Sequence, residues 1–420
     1  MSIAHGAFTR PASRLSPWLM IVSAATVLTV TMGVRQTFGL FILPLHQAFG
    51  LGIASISFAM AVGQLIWGAV QPVFGALADR WGSYRVIGLG ALLLSAGFAL
   101  TPLASSDGLL VLTMGVLTAA GAGAGSFSIL MGIAAKAIPP ERRSVVAGFI
   151  NAGGSIGQFI FAPLSQAMIA HAGWVWAMLT MAVAALCTIP IAWPLRHEAQ
   201  PAPPRGTGAD AGLGTQIRRA LHDPSYLCLH AGFFTCGFHV AFLITHLPGE
   251  VALSGHSAAV SAASIGLIGL FNIAGSLLAG ALGSWYRMKY ILACMYGSRA
   301  VMIAIFLAAP KTPLTFYIFA AALGLTWLAT VPPTAGLVGK LFGAQYLATL
   351  FGLTLLTHQI GGFLGAWLGG LVMEHYGNYQ WMWYVDIALA SLAALVNLPI
   401  REARIARTAS ALSRQSVRVG

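Results

Sequence analysis

The chain consists largely of apolar runs, each close to the length that a helix needs to cross a lipid bilayer. About twenty helical residues span the roughly 30 Å of hydrocarbon in a membrane. Of 420 residues, 58% are hydrophobic and 8% are charged, whereas about a quarter of the residues in an ordinary soluble domain are charged. Because so few charges cannot cover a water-facing surface, the sequence predicts an all-α membrane protein.

Twelve runs are present, six on each side of a polar stretch. They cover about 17–45, 53–78, 86–104, 108–135, 144–169 and 173–195, and then 226–247, 262–284, 290–309, 313–339, 346–373 and 380–400. The stretch between them is rich in Pro, Gly, Ala and Arg, which is typical of a solvated linker. We predict an N-terminal tail (1–16), a six-helix bundle (17–195), a linker (196–223), a second six-helix bundle (224–400) and a C-terminal tail (401–420). The first run is too long for the core of a signal peptide.

The basic residues indicate the orientation of the chain. With twelve crossings, 19 of the 22 Lys and Arg residues fall in loops, linker and tails on one side. Lys311 stands alone on the opposite side, and Arg35 and Arg299 lie inside apolar runs. Basic loops stay in the cytoplasm, so we predict that both termini and the linker are cytoplasmic. The net charge of +12 is spread along the chain rather than gathered in a patch, and no nucleic-acid partner is expected.

An internal repeat relates the two halves. Gly, Phe and Pro recur at an offset of 204 residues in the first and seventh runs, and glycines recur at the same offset in the fifth and eleventh runs. The matching pairs are Gly33 and Gly237, Phe38 and Phe242, Pro44 and Pro248, Gly148 and Gly352, and Gly157 and Gly361. The shared offset predicts two six-helix bundles related by pseudo-symmetry.

A glycine- and charge-containing motif follows the second run. It comprises Gly75, Asp79, Arg80, Gly82 and Arg85. This motif resembles the signature loop of the major facilitator superfamily, whose members are secondary transporters built from two six-helix bundles. The resemblance implies that the loop latches one conformation on the cytoplasmic side. The corresponding loop after the eighth run has Ser284 in place of the acid, so a second latch is not expected there.

Three further segments narrow the resemblance. They are Gly33 to Pro44 with Arg35, Thr330 to Thr334, and His358 to Gly362. Together they are similar to bacterial carriers related to monocarboxylate transporters and oxalate:formate antiporters. The resemblance implies a monomeric carrier in the bacterial inner membrane, without enzymatic activity, cofactor or metal. It also implies that the first, fourth, seventh and tenth helices line a central cavity.

Arg35 is the most informative single residue. A guanidinium inside a membrane helix costs at least about 2.5 kcal/mol on insertion scales and needs an interior position or a partner. The functional interpretation is a fork of donors that binds a carboxylate in the cavity. The alternative is a structural ion pair or a hydrogen bond to backbone carbonyls.

Other polar residues inside apolar runs are weaker candidates for the substrate site. His239 occupies the repeat position of Arg35, and symmetry predicts that both lie on the substrate path. His239 and His358 are candidates for substrate binding or for carrying a proton, since imidazole titrates near physiological pH. Gln359, Trp327 and Asn151 are candidate lining residues. Helix packing is the alternative for each of these five side chains.

Arg299 and Asp386 are the other embedded charges. Their helices are peripheral in the family, so we predict that they form a structural ion pair with each other. The alternative is that Asp386 takes up a proton during transport, as buried carboxylates can do.

The embedded charges together favour an anionic substrate. Arg35 and Arg299 stand against the single acid Asp386, which leaves a cation for a ligand to neutralise. We therefore expect alternating-access transport of a small organic anion, a monocarboxylate or dicarboxylate, coupled to protons or to anion exchange. The alternative is an exporter of drugs or metabolites with a mainly apolar pocket. A membrane enzyme would need clustered acids, histidines or metal ligands, and no such cluster stands out in the sequence.

Overall fold

The computed structural model describes residues 16–137, 143–197, 213–343 and 347–402, and within these ranges it contains helices and no strand. The α-helices in chain order are α1 (Pro17–Arg35), α2 (Ile42–Phe49), α3 (Ile53–Trp81), α4 (Ser83–Leu100), α5 (Asp107–Leu110), α6 (Thr118–Ala124), α7 (Phe127–Ala137), α8 (Arg143–Ala172), α9 (Trp174–Ile191), α10 (Leu213–Leu221), α11 (Pro224–Leu253), α12 (Ala258–Trp285), α13 (Met288–Ala308), α14 (Pro313–Gly324), α15 (Val331–Phe342), α16 (Leu347–Tyr376) and α17 (Gln380–Asn397). The predicted all-α fold is confirmed. In the stretch that we predicted as linker, the described residues include the short helix α10 and the end of a 3₁₀ turn over Trp193–His197.

In the described part of the chain, nine helical stretches are long and apolar enough to cross a membrane. Three more segments complete the twelve predicted crossings: α8, the broken pair α14 and α15, and α17. Two crossings in the first half are also broken. The first consists of α1 and α2, and the fourth contains α5, a π-helical stretch (Val111–Leu117), α6 and α7.

The packing of the helices is pseudo-symmetric. The first and fifth spans, α1 and α8, pack closely, and so do the seventh and eleventh, α11 and α16. The pair α4 and α9 is likewise matched by α13 and α17. Between the halves, α3 packs on α16, and its symmetry mate α12 packs on α8. Each relation recurs six spans later, which confirms two related six-helix bundles that meet along two antiparallel helix pairs, here called the seam.

The first seam pair, α3 and α16, keeps an antiparallel register. A Cβ added to Gly370 would lie 2.5 Å from Ser57, and one added to Gly68 would lie 2.5 Å from the Gln359 side chain. Moving eleven residues toward the C-terminus of α3 therefore corresponds to moving eleven residues toward the N-terminus of α16.

The second seam pair, α8 and α12, is joined by hydrogen bonds. The Asn272 amide donates to Ser155 Oγ at 2.8 Å. Gln158 Nε2 donates to the Ile265 carbonyl at 3.0 Å. Because these polar side chains are buried, the bonds fix the two halves against each other at this depth.

A carboxylate closes one end of the seam. Glu374, near the end of α16, accepts a hydrogen bond from the backbone N–H of Ala54 at 3.0 Å. The first N–H groups of a helix have no partner within the helix and attract negative charge. Glu374 therefore caps α3 from the opposite half and holds the bundles together at this end.

The other end of the seam is open. Continuing the same registers brings Gly75 opposite Gly352 and Gly148 opposite Gly280. A Cβ added to any of these four glycines would have no neighbouring atom within 4 Å. Among the described residues, most basic side chains lie at this end, including Arg80 and Arg85 around the loop after the second span and Arg218 and Arg219 on α10. The cleft between the halves thus opens toward the basic face.

Glycines also allow close packing within each bundle. A Cβ at Gly157 would lie 2.0 Å from the Thr29 carbonyl oxygen, and a Cβ at Gly361 would lie 2.1 Å from the Phe234 carbonyl oxygen. The two contacts are related by the 204-residue repeat. Real Cβ atoms do not come so near to backbone, so both positions require glycine.

We predict that Gly361→Ala destabilises the protein by about 1–3 kcal/mol, because the added methyl group forces α16 away from α11. The matched control is Gly352→Ala on the same helix, whose added methyl group meets open space and changes only helix propensity. Thermal unfolding of the detergent-purified variants measures the difference. Equal melting temperatures for the two variants would contradict the packing argument.

Candidate functional site

The first span breaks where it meets the seventh span. Helix α1 ends at Arg35, a 3₁₀ turn follows over Phe38–Phe41, and α2 begins at Ile42. A Cβ at Gly39 would lie 2.1 Å from the Ile244 carbonyl oxygen on α11, so this turn presses against the other half. The carbonyl end of α1 favours a cation, and the guanidinium of Arg35 lies beside the break.

Arg35 has polar and aromatic neighbours but no acid. Its Nη2 donates to Gln64 Oε1 at 2.5 Å, and its guanidinium carbon lies 4.7 Å from the centre of the Trp67 ring. A guanidinium carries five N–H donors, and no ion pair joins Arg35 to an acid in the described ranges. The positive charge is therefore stabilised by the Gln64 amide and by the Trp67 ring, and the remaining N–H donors are available to a ligand.

A small cavity of about 20 Å³ lies beside Arg35. Its walls come from both halves and are formed by Arg35, Phe38, Met60, Gly63, Gln64, Ala119, Ile244 and Thr245. A cavity of this size holds about one water-sized group. In this conformation the space is therefore contracted, and a substrate of several atoms would need the walls to separate.

The carboxylates of the described chain do not border the cavity, and all but Asp107, which is exposed at the start of α5, are engaged by other groups. Asp223 accepts hydrogen bonds at the start of α11, and Glu250 accepts one from the Trp383 indole. Asp386 pairs with His239, Glu402 with Lys340, and Glu374 caps α3. None of these groups neutralises Arg35, so the cavity has an uncompensated positive charge.

A polar row on α3 leads from the cavity toward the basic face. Gln64 and Trp67 are followed one turn later by Gln71, whose Oε1 accepts a hydrogen bond from Ser128 at 2.7 Å. Our sequence analysis missed Gln64, Trp67 and Gln71. Their spacing of three and four residues puts them on one helix face. This spacing is the sequence signal that could have identified them.

Arg299 does not pair with Asp386, so the predicted structural pair is wrong. The guanidinium is fully buried and donates to the carbonyl oxygens of Thr326 and of Trp327, the latter at 2.7 Å. These carbonyls belong to the break between α14 and α15, where Pro332 and Pro333 carry no N–H. Arg299 satisfies carbonyls that an unbroken helix would have bonded itself.

His239 lies away from Arg35 and inside the second half, contrary to the symmetry prediction. Its Nδ1 lies 2.6 Å from Asp386 Oδ2, and the two residues are 1% and 0% exposed. The reason is local: α1 ends at Arg35, whereas α11 continues as helix through His239. Equivalent sequence positions therefore point in different directions.

The remaining predicted lining residues do not border the cavity. His358 lies against the Phe233 ring, with 4.9 Å between ring centres, and its Nδ1 is 3.2 Å from Gln359 Nε2. Gln359 is buried at the seam against α3. Trp327 is fully buried in the break of the tenth span, and Asn151 is half-buried on α8. Of the predicted substrate-binding set, the structure places Arg35 alone at the cavity.

The predicted latch lies at the open end of the seam. Arg80 and Arg85 are exposed and form no ion pair with another described side chain. Gly82 has φ of +84° between α3 and α4, a conformation that favours glycine. The side chain of Asp79 lies outside the described residues, and the role of the motif as a latch stays a prediction.

Two helical bundles around a cleft, with broken spans lining a charged cavity, define a membrane carrier. The sequence profile described as "Major Facilitator Superfamily" matches residues 24–366, and the chain belongs to this family of transporters. The family resemblance inferred from the signature loop is confirmed.

Curated relatives span nearly the whole chain at low identity. An uncharacterised transporter of this superfamily from Bacillus subtilis, YcxA, is 24% identical over 87% of this chain and 90% of its own length. Monocarboxylate transporter 13 of Rattus norvegicus is 26% identical over 91% and 89%, respectively. The oxalate:formate antiporter of Oxalobacter formigenes is 24% identical over 86% of each chain.

Solved structures share the fold. A bacterial homologue of the human lysosomal transporter Spinster, crystallised in an inward-facing and unoccupied conformation, has a TM-score of 0.70 with 15% identity. The match covers 92% of this chain and 99% of that structure.

Proposed function

We propose that this protein is a secondary transporter of small monocarboxylates that works by alternating access. The observation that carries the proposal is Arg35, an unneutralised cation at a cavity shared by both halves. A bound carboxylate would accept from the free guanidinium donors and cancel the charge. The cleft could then close over a neutral site, which lowers the cost of burying the arginine.

A single carboxylate fits this site better than two do. Among the described residues, Arg35 is the one cationic side chain that borders the cavity, and the donors of Arg299 are used by backbone carbonyls. The second charge of a dicarboxylate would therefore stay unpaired. The cavity suits a short carboxylic acid with an apolar tail. Its wall contains the small residues Gly63 and Ala119 and the apolar side chains of Phe38 and Met60. Among the relatives are a monocarboxylate transporter and an oxalate:formate antiporter, which supports a carboxylate substrate.

The orientation follows from the basic residues. We infer that the basic face lies in the cytoplasm of a bacterial cell, and the open end of the seam then faces inward. The polar row from Ser128 to Gln64 leads from that end toward Arg35, as an entry or exit path for an anion would. Coupling to protons or exchange against a second anion completes the proposed cycle.

A substrate panel tests the proposal. Proteoliposomes containing the purified protein are expected to take up labelled short monocarboxylates in a saturable manner. Unlabelled monocarboxylates should compete better than dicarboxylates of equal length. Competition by organic amines or large hydrophobic drugs, with no competition by carboxylates, would instead support the exporter with an apolar pocket and refute the anion carrier.

A further inference from the structure

The pair formed by His239 and Asp386 has unusual chemistry for the interior of a helical bundle. Both side chains are almost completely buried and lie 2.6 Å apart, joining α11 to α17. Within the described part of the chain, His239 Nε2, Asp386 Oδ1 and the nearby Trp327 Nε1 have no hydrogen-bond partner. The Trp327 ring stands edge-on to the imidazole, with 5.8 Å between centres.

This pair differs from Arg299, the structural charge of the same bundle. Each nitrogen of the Arg299 guanidinium has a hydrogen-bond partner. In a buried group that serves structure alone, such saturation is the rule. His239 and Asp386 each have one polar atom that makes no hydrogen bond within the described chain. The pair can therefore bind a further proton, although its mutual hydrogen bond does not require one.

We propose that His239 and Asp386 together form the proton-binding site of the carrier, and this inference rests on the proposed function. In the empty state, neutral His239 donates its Nδ1–H to the Asp386 carboxylate, and the pair carries one negative charge. A proton from solvent adds to Nε2, giving an imidazolium paired with the carboxylate and no net charge. Release of that proton on the other side of the membrane restores the empty state.

The charges of the two sites predict that a proton and a monocarboxylate move together without net charge. Arg35 contributes one positive charge when empty and none when a monocarboxylate is bound. The pair contributes one negative charge when empty and none when protonated. The net buried charge is the same when both ligands are bound as when both are absent, whereas a single ligand changes it by one. We therefore expect electroneutral transport of one proton with one monocarboxylate.

Helix α11 links the two sites mechanically. Ile244 and Thr245 form the second-half wall of the cavity, and they lie five and six residues beyond His239, about 8 Å along the helix. The turn at Gly39 presses on the Ile244 carbonyl. A change in the bond between α11 and α17 is thus transmitted to the wall that faces Arg35.

Other titratable groups surround the pair in the described chain. Cys236 lies one turn before His239 on α11 and accepts a hydrogen bond from Arg299 of α13, whose guanidinium carbon lies 5.4 Å from the centre of the Tyr296 ring. His358 of α16 lies beside Cys236, and His246 lies two turns beyond His239 on α11. On the side of the closed end, Glu250 accepts from the indole of Trp383, one turn from Asp386. Arg299 is bound by the carbonyls of the break in the tenth span and takes no part in the proposed exchange of protons.

The experiment separates proton drive from substrate exchange. In proteoliposomes of the wild-type protein, an inward proton gradient should raise the steady-state accumulation ratio of the monocarboxylate by about tenfold per pH unit for one coupled proton. A potassium diffusion potential should have no effect. Asp386→Asn keeps an acceptor for the Nδ1–H but removes the carboxylate that stabilises the imidazolium, so stimulation by the gradient should disappear. Counterflow of labelled against unlabelled monocarboxylate, which needs no net proton movement, should persist.

Asp386→Glu and His239→Gln complete the test. The glutamate variant should regain part of the proton drive, whereas His239→Gln should behave like Asp386→Asn. Retention of full proton drive in Asp386→Asn would overturn the inference, while wild-type counterflow would leave the proposed function intact. Loss of counterflow in all three variants would show a structural role and equally overturn it. Absence of counterflow in the wild type would refute the proposed function itself.

Discussion

Arg35→Gln is expected to lower kcat/KM for monocarboxylate uptake by on the order of 100-fold or more, because truncating one partner of a charge-assisted pair costs about 2–5 kcal/mol. Glutamine keeps some hydrogen bonding but removes both the charge and the fork of donors. Arg35→Lys should retain part of the activity. It keeps the charge and loses the planar contact with the Trp67 ring. Initial rates of uptake into proteoliposomes measure the effect.

The control for this prediction is stability. Arg35 is half-buried and forms one side-chain hydrogen bond within the described chain, so Arg35→Gln should change the free energy of unfolding by less than about 1 kcal/mol. If the variant unfolded at a clearly lower temperature than the wild type, the lost transport would be explained by reduced stability. Unchanged transport by a stable variant would remove Arg35 from the substrate site and with it the main support for an anion carrier.

Arg299→Met is expected to have the opposite profile, with a large loss of stability. The substitution leaves the carbonyl oxygens of Thr326 and Trp327 without donors in a fully buried break. Each unsatisfied acceptor costs about 1–3 kcal/mol, so the total is on the order of 2–5 kcal/mol. Thermal unfolding in detergent should show a clearly lower midpoint than in the wild type.

The matched control is Arg35→Met, which removes the same side chain from the cavity. This variant should unfold at nearly the wild-type temperature while transporting poorly. The two methionine variants therefore separate a binding arginine from a structural one. If Arg299→Met were as stable as Arg35→Met, the break between α14 and α15 would have to be satisfied in some other way.

The fold could be predicted because lipid constrains sequence so strongly. Each span must satisfy its own backbone hydrogen bonds, and the apolar runs therefore mark the helices directly. The glycine pairs at the 204-residue offset also correctly predicted the relation between the two halves, since Gly157 and Gly361 occupy equivalent crossings. The helix breaks were harder to foresee. The first span breaks between Arg35 and Ile42 because Gly39 packs against another helix, a fact of tertiary structure.

The site was predicted only in part, for a related reason. Arg35 stands out because of its cost in a membrane, whereas Gln64 and Trp67 are ordinary residues that matter because they face Arg35. The symmetry argument correctly related the backbones of the first and seventh spans but not the side chains, since one helix ends where the other continues. Asp386 was rightly seen as needing a partner. His239 supplied it, because Arg299 was already engaged by the broken tenth span.

The empty space beside four glycines has a consequence for how the cleft can shut. Under the proposed alternating access, Gly75 would meet Gly352 and Gly148 would meet Gly280 once the cytoplasmic end closes. A bulky side chain at any of the four positions would then act as a steric wedge. It would not disturb folding, but it would prevent the cytoplasmic end from closing. Such wedged proteins would bind substrate from one side and never deliver it, which would make them suitable for trapping ligand complexes.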